Sequence, residues 1–294
     1  MHLATALLVF LIAISFPARA AIRVIDDTNE AVTLDTAARR IVSLAPNLTE
    51  LLFSAGAGAH IIATVDYSDH PSPARSIPRI GQSGSINIES VLVLKPDLIV
   101  AWASGNPRQA VARLRQVGLP VYLAQPRRLE DIARTLRQLG RLAATEATAD
   151  AQAERFMARY RALSARYAGR SPVRVFYQVL DPQLITVNGN HLISEILRLC
   201  GGLNVFATLP VLAPVVNEEA VFKVDPQAII AGGTDSDWSA WQMHWRDRST
   251  ITAVKRNALY RIPADLIHRD TLRVLDGAEQ VCEAIEDARN HLRD

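Results

Sequence analysis

The chain has 294 residues, 49% of them apolar, and a formal net charge of +2 from 32 basic and 30 acidic side chains. That length and apolar content suffice for one large core or two ordinary ones and exclude a chain too polar to fold. With the two signs nearly balanced and no long basic run, nothing argues for nucleic acid as a partner.

Residues 1–20 read as a cleavable leader, with an apolar run from Leu3 to Phe16, a break at Pro17, and Ala18-Arg19-Ala20 in the A-x-A cleavage pattern. The run is short for a bilayer span, and no cysteine stands near the cleavage point to accept lipid. The expectation is a soluble protein of an exported compartment.

Ile22 to Asp26 and Ala31 to Leu34 are expected to form a hairpin, followed by a first sheet strand from Arg40 to Leu44. Asn47 and Glu50 have capping-box spacing ahead of an apolar stripe, Leu48, Leu51, Leu52 and Ala55. Ile61 to Val65 is the next strand, and the loop after it, Asp66 to Pro71, carries Tyr67 and His70 at the kind of sheet end where α/β proteins hold ligands. Ser83 lies in the loop that follows, and Trp102 ends a further strand. Asn106 and Pro107 are expected to cap a helix to about Val117.

Next come a strand at Val121 to Ala124, a helix at Leu129 to Ala143 and a long helix from Ala149 to Tyr167 that is read as the link between two lobes. The second half offers strands at Arg174 to Val179 and Leu184 to Val187, then a helix from Leu192 to Leu199 stopped by Cys200-Gly201-Gly202. Trp238, Trp241 and Trp245 fall on one helical face and read as a core stripe. A strand at Leu259 to Ile262, a loop from Ala264 to Arg273 and a helix from Asp276 to about Leu292 close the chain. This divides it into a leader (1–20), an N-terminal lobe (21–144), a connecting helix (145–169) and a C-terminal lobe (170–294).

One unit occurs twice. NIESVLVLKPDLIVA (Asn87–Ala101) and NEEAVFKVDPQAIIA (Asn217–Ala231) align without a gap, matching at Asn87/Asn217, Glu89/Glu219, Val91/Val221, Pro96/Pro226, Ile99/Ile229 and Ala101/Ala231. Each copy reads as a capping Asn, a first-turn acid, a short helix, a proline stop and an apolar strand. Two copies imply two similar α/β lobes, each with a parallel sheet covered on both faces.

Cys200 and Cys282 are the only cysteines, and in an exported chain they are expected to pair, the alternative being two separately buried thiols. The bridge would close a loop of roughly 80 residues and stabilise the fold by about 4 kcal/mol on the chain-entropy model.

No G-x-S-x-G elbow, P-loop, G-x-G-x-x-G or H-E-x-x-H is present, and the seven histidines lack metal-site spacing, so neither an enzyme nor a resident metal is expected. Tyr67 and Trp102 can cover an apolar ligand face, with plugging of the sheet ends as the alternative. Asp265 and Arg269 are polar candidates opposite them. His70 and His268 could each offer one nitrogen to a metal-bearing ligand, or serve as ordinary loop residues.

RIVSLAPNLTELLFSAG, VDYSDHP, NIESVLVLKPDLIVAW, LCGGLNVF and DGAEQVCEAI together resemble the periplasmic binding proteins that deliver vitamin B12, iron-siderophores or haem to ABC importers. The resemblance covers essentially the whole chain after the leader. It implies two Rossmann-like lobes with parallel-type sheets joined by a single long helix, a ligand cleft between the lobes and a monomer in the periplasm. It further implies that Tyr67, Trp102, Asp265 and Arg269 line the cleft, and that Glu89 and Glu219 dock onto the membrane permease. Ser83, Ile185, Ala213 and Leu266 stand where cobalamin-binding members carry aromatics. The implied cargo is cobalamin or another corrinoid, with haem or an iron-siderophore as the alternative and an exported α/β hydrolase as a more distant one. With those rings missing, either the ligand differs or other side chains, such as His268 or Trp238, fill the space.

Overall fold

The computed structural model describes residues 21–179, 183–233 and 235–293. The leader expected over residues 1–20 lies outside them. The expected hairpin is present as β1 (Ile22–Ile25) and β2 (Ala31–Leu34), paired antiparallel. Then follow β3 (Ile41–Ser43), α1 (Pro46–Ser54), β4 (Ile61–Ala63), a small ribbon of β5 (Gly81–Gln82) and β6 (Ser85–Ile86), α2 (Ile88–Val93), β7 (Leu98–Trp102), α3 (Arg108–Gln116), β8 (Val121–Ala124) and α4 (Leu129–Ala143). The second half comprises α5 (Glu146–Tyr167), β9 (Val173–Gln178), α6 (Leu192–Leu199), β10 (Gly202–Asn204), α7 (Glu218–Val224), β11 (Ala228–Gly233), α8 (Asp235–Arg246), α9 (Thr252–Lys255), β12 (Leu259–Pro263), α10 (Ala264–Ile267) and α11 (Val274–His291).

Two parallel four-stranded sheets result, ordered β4-β3-β7-β8 and β10-β9-β11-β12. The repeat strands β7 and β11 both lie inside their sheets. Alternation along β7 sends Leu98 and Val100 into one core and Ile99 and Ala101 into the other, which is why the strand reads as an unbroken apolar run. No helix among the described residues is long and apolar enough to cross a membrane.

The duplicated unit is the same device in both lobes. Asn87 Oδ1 accepts from Ser90 N and Asn217 Oδ1 from Ala220 N, each at 2.9 Å, and Val91 and Val221 are each helix's buried anchor. Both helices end on a left-handed residue, Lys95 (φ 46°) or Asp225 (φ 39°), ahead of the proline. An arginine staples each end. Arg40 Nη2 donates to Leu94 O at 2.7 Å, and Arg174 Nη2 donates to Asp225 O at 2.8 Å.

Three local expectations are corrected. The cap of α1 is Ala45, with Pro46 in the first turn, and Asn47 and Glu50 lie buried within the helix instead of forming a capping box. Pro107 caps α3 without a side-chain bond, because the Asn106 amide is engaged elsewhere. Leu184 to Val187 is not a ladder strand: only Ile185 forms an isolated antiparallel bridge, with Val215. Asn188 then folds its carbonyl back onto Asn190 N, so the segment turns before it can extend.

The linking helix α5 buries Ala149, Ala153, Phe156, Leu163 and Tyr167 along one stripe. Its Arg159 reaches Asp276 and Glu279 on α11 at 2.6 and 2.9 Å. Cys200 at the end of α6 is bonded to Cys282 in α11, closing a sequence separation of 82.

Candidate ligand cleft between the lobes

The N-terminal wall begins beneath Tyr67. Ser43, Thr49, Thr64 and Ser68 form a buried hydroxyl cluster, with Thr49 2.9 Å from Ser43 and 2.6 Å from Thr64, which in turn lies 2.8 Å from Ser68. A satisfied cluster of this kind pins the chain on either side of Tyr67. Tyr67 itself takes φ 63°, a costly conformation for an aromatic residue, and holds its ring 75% exposed.

Trp102, at the end of β7, is half-buried, and its indole N–H is enclosed without a protein acceptor. A Cβ at Gly105 would collide with the indole, so the absence of a side chain there makes room for the ring. Asn106 completes the arrangement. Its Oδ1 accepts from Trp102 N at 2.6 Å, and its Nδ2 donates to Leu44 O and Ser83 O, both at 2.8 Å. One amide thus ties together three loops, among them that of Ser83. The sequence reading missed this because an Asn ahead of a Pro-initiated helix has the form of a cap.

On the other lobe, Tyr177 Oη and His268 Nε2 lie 2.9 Å apart above Gly232, where a Cβ would strike the imidazole. Burial pushes His268 down to about 4, against a smaller opposing effect of Asp265, so the ring is neutral at neutral pH. Nε2 is engaged whichever nitrogen carries the proton, which leaves only Nδ1 for any metal-bearing ligand. Ile185 is half-buried beside the exposed Val215.

Arg269 spans the two lobes. Its Nη1 donates to Glu50 Oε1 at 2.9 Å and to Asp69 Oδ1 at 3.1 Å, its Nη2 lies 3.0 Å from Asp265 Oδ1, and only 13% of its side chain is exposed. Burial works to raise the pKa of Asp69, and the Arg269 hydrogen bond and charge more than reverse it, holding that carboxyl below its usual range. Asp265 and Arg269 thus pair with each other, and Arg269 has in Glu50 a partner the sequence did not reveal. His70 lines a separate 230 Å³ cavity with Glu50, Ser54 and Arg273.

The tryptophan series divides. Trp241 and Trp245 are core residues that both donate to Gln178 Oε1, at 2.7 and 3.0 Å, while Trp245 sets its ring edge-on to Phe176. Gln178 is the last residue of β9. Trp238, one turn earlier in α8, stacks on Trp241 at 4.8 Å and 21° and is only half-buried. The stripe thus buries two indoles and leaves the third half-exposed on top of them.

Glu89 and Glu219 are exposed on α2 and α7, and neither has an ion-pair partner among the described residues. The adjacent Glu218 is held by Arg248 Nη2 at 2.8 Å. No group of three or more His, Cys, Asp or Glu among the described residues could hold a metal ion.

This two-lobed arrangement has relatives. The family model described as periplasmic binding protein matches residues 41–266. The chain belongs to that family. A vitamin B12-binding protein of Vibrio cholerae is 38% identical over 258 residues, spanning 86% of this chain and 91% of the relative. The crystal structure of the periplasmic vitamin B12 binding protein of Vibrio cholerae superposes with a TM-score of 0.81 at 37% identity, covering 86% of this chain and 98% of that one. A periplasmic heme-binding protein from Roseiflexus sp. RS-1 in apo form reaches a TM-score of 0.74 at 19% identity, over 86% and 99% of the two chains, a likeness of fold. Membership of a binding-protein family agrees with the missing catalytic motifs.

Proposed function

We propose that this periplasmic binding protein captures cobalamin or a related corrinoid in the cleft between its lobes and hands it to an ABC importer. The observation that carries the reading is the likeness to a vitamin B12-binding protein across 91% of that protein's length. Physical support comes from Tyr67, a large exposed side chain on a strained backbone, and from the half-buried Trp102 at the end of β7. Flat apolar walls with few polar groups suit a bulky macrocycle. Ser83 and Ile185 contribute narrower surfaces, and Trp238 supplies an aromatic face on the C-terminal lobe. Glu89 and Glu219, one per lobe and without an ion-pair partner among the described residues, steer and orient docking onto basic groups of the permease. The protein acts as a monomer, without turnover, in the periplasm after loss of its leader.

Calorimetric and spectral titration of the mature protein with cyanocobalamin, dicyanocobinamide and haemin tests the reading. Saturable binding of cyanocobalamin with a shifted corrin spectrum is expected. Binding of haemin alone, with a Soret band, would overturn it in favour of haem.

A further inference from the structure

Where α4 meets α6 across the interlobe seam, a cavity of 470 Å³ lies between the turn after β8 and the first turn of α6. Arg127 and Arg128 face it from one lobe, and His191, Glu195 and Arg198 from the other. Three guanidinia therefore confront a single carboxylate. That carboxylate is already committed, since Glu195 Oε2 accepts from Leu129 N at 2.9 Å and Oε1 lies 3.9 Å from Arg128 Nε. Arg128 also pairs with Glu130 at 3.3 Å.

Neither Arg127 nor Arg198 forms an ion pair among the described residues, although Glu195, one turn before Arg198 on α6, feels the Arg198 charge through space. Three guanidinia against one carboxylate leave the lining with an excess of positive charge that favours an anion in the space between the lobes. The remaining groups are donors as well. His191 Nδ1 accepts from Ile193 N at 3.1 Å, which leaves the proton of the neutral ring on Nε2. Burial, with a contribution from the nearby His268, pushes His191 down to about 4, so the ring stays neutral at neutral pH. Fork-shaped guanidinia, with the His191 N–H in the same lining, supply donors suited to a tetrahedral or carboxylate oxyanion.

We propose that this cavity binds a phosphate-class oxyanion, gripped from both lobes by Arg127 and Arg198. Such an anion ties the two lobes together through residues other than Glu50 and Arg269. It has two sources: a free ion, or an anionic substituent of a ligand whose body occupies the neighbouring cleft, reached past His268. The second source rests on the corrinoid reading, and the first does not.

The test compares the mature protein with the R127S/R198S double variant, whose exposed positions leave the core intact. Inorganic phosphate at constant ionic strength should raise the thermal midpoint of the parent relative to chloride and leave the variant unmoved if the site takes a free ion. If it takes a ligand's substituent, the variant should bind cyanocobalamin, which carries a phosphodiester, about tenfold more weakly and dicyanocobinamide, which lacks one, unchanged. A parent unmoved by phosphate, together with a variant that matches it for both corrinoids, overturns the proposal. Failure of the parent to bind either corrinoid sinks the corrinoid reading instead, and the phosphate titration then decides the site alone.

Discussion

Across the seam between the lobes, Arg273 grips Glu50 with two hydrogen bonds, Nη2 to Oε1 at 2.7 Å and Nε to Oε2 at 3.0 Å. Arg269 adds a third bond to the same carboxylate, of which only 3% is exposed. A buried carboxylate met by two guanidinia is a strong lobe-to-lobe contact, and removing one member strands charge in the interior. Glu50→Ala should cost about 3–5 kcal/mol in chemical denaturation. Glu50→Gln, which keeps the shape, should cost less.

Asp270 and Glu195 define a pH response of one sign. Burial pushes both carboxyls up to about 7. The folded state therefore binds their protons more tightly than the unfolded chain, and between about pH 4 and 7 stability falls as pH rises. His191 and His268, both pushed down to about 4 by burial, oppose this, since their protonation in the unfolded chain removes stability as pH falls from 6.5 toward 4. Asp270→Asn should isolate the first effect. It should stabilise the protein by roughly 1–3 kcal/mol at pH 7.5, with the gain fading near pH 4, as read from urea unfolding at both values.

The three rings make separable predictions. Tyr67→Ala, Trp102→Ala and Trp238→Ala should each weaken cyanocobalamin binding by about 1–3 kcal/mol in calorimetry. Tyr67 is 75% exposed, so its loss should change the unfolding midpoint little. Affinities equal to the parent's in all three variants would place the ligand elsewhere.

Asn106→Ala removes the amide that joins Trp102 N, Leu44 O and Ser83 O. Leaving these buried groups unpaired should destabilise the fold by about 2–4 kcal/mol. Ligand affinity should fall as well, because Trp102 loses its fixed backbone, and the loss should be smaller than that of Trp102→Ala.

Glu89 and Glu219, proposed as docking residues, should behave differently from their neighbour Glu218. Glu89→Ala combined with Glu219→Ala should leave cyanocobalamin affinity intact while reducing uptake several-fold in cells that depend on this protein. Glu218→Ala, which frees Arg248, should leave uptake near the parent level. Unchanged uptake in the double variant would remove both residues from the docking surface.

Much of the architecture was legible in the chain because the interactions behind it are local. Asn87 and Asn217 cap helices through bonds three residues away, and the apolar runs ending at Ala101 and Ala231 are strands covered on both faces. The leader and the two lone cysteines made a Cys200–Cys282 bridge the expectation, and the structure, not the sequence, decided against two separately buried thiols. The cleft was legible only in outline. Tyr67 and Trp102 could be placed at strand ends, whereas nothing in their surroundings foretold the hydroxyl cluster or the Asn106 amide that hold them.

The sequence by itself determined two lobes, their sheets and the residue types available at the strand ends, since periodicity and turn chemistry act over a few residues. Only the tertiary structure decided which charges meet. Arg269 and Glu50 stand 219 residues apart, and the same Asn47–Glu50 spacing that suits a cap serves here to bury an acid for the opposite lobe. A carboxylate's partner is chosen by which surfaces close over it, and that is a property of the assembled lobes, not of any short stretch of chain.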